Sequence, residues 1–228
     1  MIFVTGDIHL NLDIEKLNSK NFPEGKNLTK NDYLIICGDV GLTWNRSKEV
    51  EYWKKWLNDK PWTTICCDGN HENFDELYTY PLESWQGGYV RKISDSIFYL
   101  NRGDVFTIDD KKIFVMGGAN SIDKDYRIEG RSWWRAEMPN YQELEYALSN
   151  LEKNNFAVDY IITHCAPDNI LYRINQMFKR DNMTDFLYEV YKKVSYKKWF
   201  FGHYHIDKNF GSEECLYQNV VQVFWKKF

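Results

Sequence analysis

The amino-acid sequence predicts an α/β protein, because short apolar runs typical of buried strands alternate along the chain with amphipathic helical patterns. The middle of the chain adds several strand-like stretches without a long helix between them. This arrangement favours a second sheet over a simple doubly wound one. No repeat, low-complexity tract or Pro/Gly-rich linker divides the chain, so residues 1–228 are predicted to form one domain.

Six runs rich in Ile, Val and Phe are predicted to be buried strands, because they are almost continuously apolar. They span residues 2–5, 33–37, 63–67, 112–116, 159–163 and 197–201. Three shorter stretches alternate between apolar and polar residues, which is typical of antiparallel strands. They span residues 89–93, 97–100 and 105–108, and a final run at 215–225 predicts the last strand of a hairpin.

Three segments carry apolar residues at the spacing of one helix face. They span residues 49–58, 140–151 and 184–194. Pro139 stands near the start of the second helix, and Asn182 or Thr184 is expected to cap the third. A long loop at 117–139 contains glycine and is crowded with Arg and Trp, and long loops in compact domains are often functional.

The composition argues against several classes of function. The net charge of -4 gives no sign of a strongly basic surface for nucleic acid. No apolar stretch approaches the roughly 18 residues needed to span a membrane, and the N-terminus runs straight into a motif, so no signal peptide is expected. The five cysteines are an odd number, which predicts reduced, buried thiols and a cytoplasmic location.

All five histidines fall within short glycine- or acid-flanked clusters, and each cluster closes a strand-like run. The clusters read Gly-Asp-Ile-His at 6–9, Gly-Asn-His-Glu at 69–72, Thr-His-Cys at 163–165 and Gly-His-Tyr-His at 202–205, with Gly-Asp at 38–39 between the first two. Imidazole and carboxylate together form the ligand set of borderline divalent metals. Because open α/β sheets bind ligands where their strands end, these side chains are expected to meet at one edge. The sequence therefore predicts a metallohydrolase.

Two of these clusters place candidate ligands two residues apart. Asp7 and His9 form one such pair, and His203 and His205 form the other. On an extended backbone, residues at this spacing face the same side, so each pair is expected to aim two ligands at one site.

The five motifs, in this order, resemble those of the calcineurin-like metallophosphoesterase superfamily. They run from Asp7 to His205 and so cover nearly the whole chain. The resemblance implies a small single-domain member with a four-layer α-β-β-α sandwich of two packed mixed sheets. It also implies a metal site at the C-terminal ends of the strands.

The same resemblance implies a dinuclear metal centre. One ion would be held by Asp7, His9, Asp39 and His205, and the second by Asp39, Asn70, His164 and His203, with Asp39 bridging. Two divalent ions roughly 3.5 to 4 Å apart can share a hydroxide that attacks phosphorus in line. Manganese is the expected metal, and iron, zinc or nickel also suit this ligand set.

His71 carries no metal in this scheme. The resemblance gives it the task of protonating the leaving group or stabilising the transition state, for which imidazole is suited. The alternative is a histidine that only hydrogen-bonds to the ligands. The second motif departs from the GDxVDRG of protein phosphatases, which disfavours that subtype and leaves the partner that orients His71 unidentified. Leu42 replaces the tyrosine ligand of purple acid phosphatases.

Contacts with the substrate are expected from the loop at 117–139. The predicted residues are Asn120, Ser121, Arg127, Arg131 and Trp133, which could clamp phosphate or stack on a ring. The alternative is a surface loop whose Trp residues pack on the core and whose Arg residues pair with Glu129 and Glu137.

The sequence thus predicts a phosphodiesterase or phosphomonoesterase that acts on a small or nucleotide-like substrate. A nuclease acting on single-stranded ends is the alternative within this class, although the net charge does not indicate nucleic acid. A non-catalytic metal-binding scaffold is the alternative from another class, but the chain keeps every motif ligand and His71. A hydrolase of carbon esters or amides would show an HxHxDH-type cluster, which the sequence lacks. The sequence leaves the oligomeric state open.

Overall fold

Two mixed β-sheets pack face to face, and helices cover their outer faces. The computed structural model describes residues 1–223. The strands are β1 (Ile2–Thr5), β2 (Tyr33–Cys37), β3 (Thr63–Cys67), β4 (Leu82–Trp85), β5 (Gly88–Ser94), β6 (Ile97–Leu100), β7 (Val105–Ile108), β8 (Lys111–Met116), β9 (Tyr160–Thr163), β10 (Lys198–Phe201), β11 (Lys208–Asn209), β12 (Glu213–Cys215) and β13 (Val220–Gln222). The helices are α1 (Lys48–Asn58), α2 (Phe74–Leu77), α3 (Tyr141–Lys153), α4 (Asp168–Ile174) and α5 (Asn182–Lys193). Short 3₁₀ turns lie at Ile14–Leu17, Pro23–Asn27, Lys124–Tyr126 and Arg135–Glu137.

Each sheet is built around four neighbouring parallel strands. The first sheet has the order β13-β1-β2-β3-β6-β5-β4, in which β1, β2, β3 and β6 run parallel. The second has the order β11-β12-β10-β9-β8-β7, in which β12, β10, β9 and β8 run parallel. The antiparallel pairings lie toward the edges of both sheets.

Successive residues of the parallel strands point to opposite faces of their sheet, and both faces are buried. Ile35 and Ile162 belong to the apolar layer between the two sheets. Their neighbour Leu34 packs in the cluster that includes Leu57 of α1, on the outer face of the first sheet. Ile161 packs in the cluster that includes residues of α3 and α5, on the outer face of the second. The predicted α/β fold, a four-layer α-β-β-α sandwich with two packed mixed sheets, is confirmed.

Most predicted strands lie within one residue of the observed ones, but the final strand was wrong. The run at 215–225 is not one strand, because β12 ends at Cys215 in the second sheet and β13 begins at Val220 in the first. Residues 224 and 225 of that run lie outside the described residues. The carboxylate of Asp207 holds the crossing by accepting hydrogen bonds from the backbone amides of residues 217, 218 and 219.

The predicted cap of the third long helix was also wrong. Asp181, not Asn182 or Thr184, is the N-cap of α5, and its Oδ1 accepts hydrogen bonds from the amides of Met183 and Thr184. The Thr184 hydroxyl in turn accepts from the amide of Asp181 at 2.8 Å. This reciprocal pair is a capping box, which places the cap three residues before Thr184.

Two predictions from composition can be compared with the fold. All five cysteines are buried and free of disulfides. Each helix of the described residues is too short or too polar to cross a membrane.

Candidate metal centre

The polar motifs follow five parallel strands, and their side chains meet where the two sheets end. Asp7 and His9 follow β1, Asp39 follows β2, Asn70 and His71 follow β3, His164 follows β9, and His203 and His205 follow β10. Hydrogen bonds tie the two sheets together here. The amide of His203 donates to Asp7 Oδ1 at 2.9 Å, and His164 Nδ1 donates to the Cys37 carbonyl at 2.7 Å.

The first group of candidate ligands consists of Asp7, His9 and His205, whose ligand atoms all lie within 4.8 Å of one another. Asp7 Oδ2 lies 3.1 Å from His205 Nε2 and 4.0 Å from His9 Nε2. This oxygen is buried and accepts no hydrogen bond within the described part of the chain. A buried carboxylate oxygen without a donor is costly unless a cation neutralises it, so this group fits a metal ion.

The second group consists of Asp39, His164 and His203, and it meets the same distance limit. Because His164 Nδ1 donates to the Cys37 carbonyl, the neutral imidazole has its lone pair on Nε2. That lone pair faces Asn70 Oδ1 at 3.0 Å and Asp39 Oδ1 at 3.3 Å. Three acceptor atoms that converge in this way require a cation among them, either a proton or a metal.

The electrostatics of both groups agree with this requirement. Burial opposes the imidazolium of His164, but the carboxylates of Asp39 and Asp7 outweigh it and raise its pKa to about 10. Likewise, burial is outweighed by the same two carboxylates at His9, whose pKa rises to about 9. Burial and the charge of His164 lower the pKa of His203 to about 4, so His203 is a neutral imidazole with a free lone pair. The carboxylates therefore attract positive charge to this edge of the sheets.

Asp39 stands between the two groups. Its Oδ1 lies 3.3 Å from His164 Nε2, and its Oδ2 lies 3.3 Å from His9 Nε2. The amide of His71 donates to Oδ1 at 2.8 Å. Burial opposes ionisation, but His164 and His9 lower the pKa of Asp39 well below its usual range. One ionised carboxylate thus presents an oxygen to each group.

The motif glycines allow the backbone to approach these carboxylates closely. A Cβ on Gly69 would lie 2.0 Å from Asp39 Oδ1, and one on Gly202 would lie 2.1 Å from Asp7 Oδ1. Both distances are far shorter than any non-bonded contact between a carbon and an oxygen atom. A side chain at either position would therefore displace a candidate ligand.

The expectation that paired ligands share an extended backbone was wrong, although Asp7 and His9 do belong to one group, as expected. His9, His203 and His205 have φ values of 36°, 69° and 50°, which lie in the left-handed region. As a result, His203 joins the second group while His205 joins the first. Sharp turns rather than a continued strand therefore distribute the histidines.

Two histidines of the first group are held by residues that the sequence analysis missed. Asp13 Oδ2 lies 2.9 Å from His9 Nδ1, which directs His9 Nε2 toward Asp7 and Asp39. The ring of His205 stacks on Tyr217 with centroids 4.7 Å apart, and the Tyr217 hydroxyl donates to Asp13 Oδ1 at 2.8 Å. Such contacts fix the tautomer and ring orientation of metal-binding histidines.

Beneath the ligands lie two further buried ionisable side chains that were not predicted from the sequence. The Lys16 ammonium donates to the carbonyls of Gly6, Asp7 and Tyr217. The Glu72 carboxylate accepts from the amide of Val40 at 2.8 Å and from other groups of the loop that carries Asp39. Burial raises the pKa of Glu72 to about 8. The only signal in the sequence for Glu72 was its place in the Gly-Asn-His-Glu motif.

His71 borders both groups, and the structure identifies its partner. Arg127 Nη1 lies 3.2 Å from His71 Nδ1, and Asp123 and the Ser132 carbonyl hold the guanidinium. A guanidinium can only donate, so Nδ1 accepts and the proton of the neutral ring resides on Nε2. Burial lowers the pKa of His71; the charge of Asp39 opposes this effect, and the charge of Arg127 adds to it.

A cleft of about 760 Å³ opens over the candidate ligands. The motif residues that line it are Asp39, Asn70, His71 and His203. Two other segments also line it, one with Asn120, Ser121, Lys124 and Arg127, and one with Met177, Phe178, Lys179 and Arg180. Both segments therefore bring basic side chains to the cleft. The segment at 177–180 was not predicted from the sequence, although Lys179 and Arg180 form an adjacent basic pair there.

The five predicted substrate residues divide into two sets. Asn120, Ser121 and Arg127 line the cleft, whereas Arg131 and Trp133 are not among the described residues that line it. The alternative reading of the loop holds in part. The indole of Trp134 is buried and donates to Asp75 at 2.8 Å, and Arg135 pairs with Glu129 at 3.2 Å.

No curated protein matches the chain. A family model described as calcineurin-like phosphoesterase matches residues 1–207 of the 228, a span that contains every cluster at the sheet edge. The chain therefore belongs to the calcineurin-like phosphoesterase family, a family of metal-dependent hydrolases that act on phosphoester bonds.

Proposed function

We propose that the protein hydrolyses a phosphodiester or phosphomonoester by means of two divalent metal ions bound side by side. The observation that carries this proposal is the position of Asp39. Its two carboxylate oxygens each lie 3.3 Å from an imidazole nitrogen of a different group, His164 on one side and His9 on the other. A carboxylate in this position can bridge two ions.

The residues that would hold the ions fall into two sets that share this carboxylate. The first set is Asp7, His9, Asp39 and His205, and the second is Asp39, Asn70, His164 and His203. The donors suit divalent metals of the manganese, iron, zinc and nickel series, and manganese is proposed first. When bound, the ions would supply a water nucleophile at neutral pH and Lewis-acid stabilisation of the negative charge on the phosphate oxygens.

His71 is proposed as the catalytic histidine. Because Arg127 donates to Nδ1, the Nε2–H is left to donate a hydrogen bond toward the cleft. There the neutral ring would stabilise the developing negative charge on the leaving oxygen by a hydrogen bond, a contribution typically worth about 10²–10³ in rate.

The proposed substrate is a small or nucleotide-like phosphoester. A cleft of about 760 Å³ lies within the range usual for small-molecule sites, roughly 300–1,000 Å³. The side chains of Lys124 and Lys179, which both line the cleft, would attract the phosphate. Asn120 and Arg127 are the predicted substrate residues retained in this proposal.

Hydrolysis of single-stranded nucleic-acid ends is a second candidate. The observation that favours it is the neighbouring basic and aromatic surface at the cleft mouth. Tyr126 does not line the cleft, but it is 95% exposed and lies in the chain between the cleft residues Asp125 and Arg127, where it could stack on a base.

The test is hydrolysis of bis-p-nitrophenyl phosphate, p-nitrophenyl phosphate and a short single-stranded oligonucleotide by chelator-stripped protein. Mn²⁺, Ni²⁺, Zn²⁺ or Mg²⁺ is then added back. We expect turnover only with added metal, and the ratio among the three substrates separates diesterase, monoesterase and nuclease.

The variant Asp39→Asn should lose both ions and all turnover. The matched control is Asp95→Asn, whose side chain is 97% exposed on the turn between β5 and β6. Two bound ions without turnover of any substrate would favour the non-catalytic scaffold instead.

A further inference from the structure

Two buried residues of the loop at 117–139 hold the side chain of Asn70 on the side that faces away from His164. Asn70 Nδ2 donates to Ser121 Oγ at 3.1 Å, and Ser121 Oγ donates to Glu137 Oε2 at 2.7 Å. The amide of Ser121 donates to the other carboxylate oxygen, Oε1, at 2.8 Å. Ser121 is 2% exposed and Glu137 is 1% exposed, so water does not compete for these bonds.

The direction of these hydrogen bonds determines which way the Asn70 amide points. Burial raises the pKa of Glu137, but the two hydrogen bonds from Ser121 favour its carboxylate form, which can only accept and so takes the single hydroxyl proton of Ser121. Ser121 Oγ can then only accept from Asn70, which turns Nδ2 toward Ser121. Asn70 Oδ1 is thereby left on the other side, 3.0 Å from His164 Nε2. The opposite orientation would place two acceptors against each other at Ser121.

A second buried pair holds Glu137 in place. The Arg102 guanidinium forms an ion pair with Asp68 and donates to the Glu137 carbonyl at 3.2 Å. Asp68 lies two residues before Asn70 in the chain. The contacts therefore close a ring that starts and ends beside Asn70, and all of its members are buried.

We propose that Glu137 and Ser121 are positioning residues that fix the Asn70 amide with its oxygen toward the second metal ion. The proposal rests on the assignment of Asn70 as a ligand in the proposed function. It gives Ser121 a role in orienting a ligand in place of the substrate contact expected from the sequence. Residues that orient ligands from behind typically change metal affinity by about 10–100-fold when they are replaced.

The test is Glu137→Gln, which keeps the size of the side chain but changes the direction of one hydrogen bond. The Gln oxygen can still accept from the Ser121 amide, and its NH₂ group then donates to Ser121 Oγ. The Ser121 proton is freed to point at Asn70, which favours the flipped amide with Nδ2 toward the metal. We expect calorimetric titration of the stripped variant with Mn²⁺ to show one site unchanged and one weakened by about 10–100-fold.

Removal of the hydroxyl distinguishes this mechanism from a general disturbance. In Ser121→Ala nothing forces the amide to flip, so the loss of affinity should be smaller than in Glu137→Gln. The double variant Ser121→Ala/Glu137→Gln lacks the Ser121 hydroxyl that would turn the Asn70 amide, so its metal affinity should recover to that of Ser121→Ala. A double variant as weak as Glu137→Gln, or weaker, would overturn the proposal.

Glu213→Gln is the matched control. Glu213 is also buried and its carboxylate accepts from a serine hydroxyl, that of Ser212, and from Tyr196, but none of these residues borders the cleft. It should bind both ions with wild-type affinity, and all variants should melt near the wild-type temperature in excess chelator. Two unchanged sites in Glu137→Gln would overturn this inference alone, whereas a wild-type protein that binds no Mn²⁺ would overturn the proposed function as well.

Discussion

At the scale of single residues, the candidate centre uses backbone conformations that are uncommon for residues other than glycine. His9, Asp39, His203 and His205 all have positive φ angles, between 36° and 69°. Such conformations persist only where the surroundings hold them, and they concentrate at functional sites. Here the amides of Ile8 and His9 donate to the Asp39 carbonyl, and the amide of His203 donates to Asp7. The backbone carbonyl of Asp39 and the carboxylate of Asp7 therefore organise these loops.

His71→Ala separates catalysis from metal binding. We expect the variant to retain both ions, because no candidate ligand is removed, while kcat falls by about 10²–10³-fold. Metal content by mass spectrometry and turnover of bis-p-nitrophenyl phosphate are the two measurements. Loss of the ions with unchanged residual turnover would show that the role given to His71 is incorrect.

Lys16→Met tests the buried ammonium beneath the ligands. Its removal leaves the carbonyls of Gly6, Asp7 and Tyr217 without their donor, and unsatisfied buried acceptors cost about 1–3 kcal/mol each. We expect the free energy of unfolding to fall by about 3 kcal/mol in chelator, measured by urea denaturation. The exposed Lys26, changed in the same way, should alter stability by less than about 0.5 kcal/mol.

At the scale of elements, the strands that carry the motifs could be predicted because both faces of a central parallel strand are buried. Each of these strands is continuously apolar and is followed at once by a polar motif. For example, β2 ends at Cys37 and the candidate ligand Asp39 lies two residues later. The shortest elements could not be predicted in this way. α2 and α4 have too few residues to show a period, and the crossing between β12 and β13 depends on the distant Asp207.

The capping box of α3 gives a prediction at this scale. Asn140 Oδ1 accepts from the amide of Glu143 at 3.0 Å, and the Glu143 carboxylate accepts from the amide of Asn140 at 2.8 Å. Asn140→Ala should therefore lower the free energy of unfolding by about 1 kcal/mol. Gln142→Ala, at an exposed position of the same helix, is the control. A thermal melt that shows equal effects of the two substitutions would argue against the cap.

The ligand candidates could be identified from the sequence, but the residues that hold them could not. Motif residues lie close together in the chain and end strands, so their convergence follows from the parallel sheet. Arg127 lies 56 residues from His71, and Glu137 acts on Asn70 only through Ser121. Contacts between residues so far apart in the chain depend on how the loop at 117–139 folds over the edge of the sheets. Local sequence patterns do not predict that path.

At the scale of the whole molecule, the candidate centre joins the two sheets. Residues that follow β1, β2 and β3 meet residues that follow β9 and β10 at this edge, and the Asp7 carboxylate accepts from the amide of His203. The single-domain organisation remains a prediction. If the ions bind here, they cross-link the two halves of the sandwich.

Metal removal should therefore destabilise the fold. A ligand that binds only the folded state stabilises it by mass action, by about 2.7 kcal/mol at 100 times its Kd. We expect added Mn²⁺ to raise the melting temperature of stripped protein by several degrees, and Asp39→Asn to abolish that shift. An equal shift in wild type and Asp39→Asn would place the stabilising ion elsewhere.

The most direct test of the central claim is anomalous diffraction at the manganese edge from a crystal grown with Mn²⁺. We expect two peaks, about 3.5–4 Å apart, with the Asp39 carboxylate between them. One peak should contact Asp7, His9 and His205, and the other Asn70, His164 and His203. A single peak, or two peaks that do not share Asp39, would contradict the dinuclear centre on which the proposed function depends.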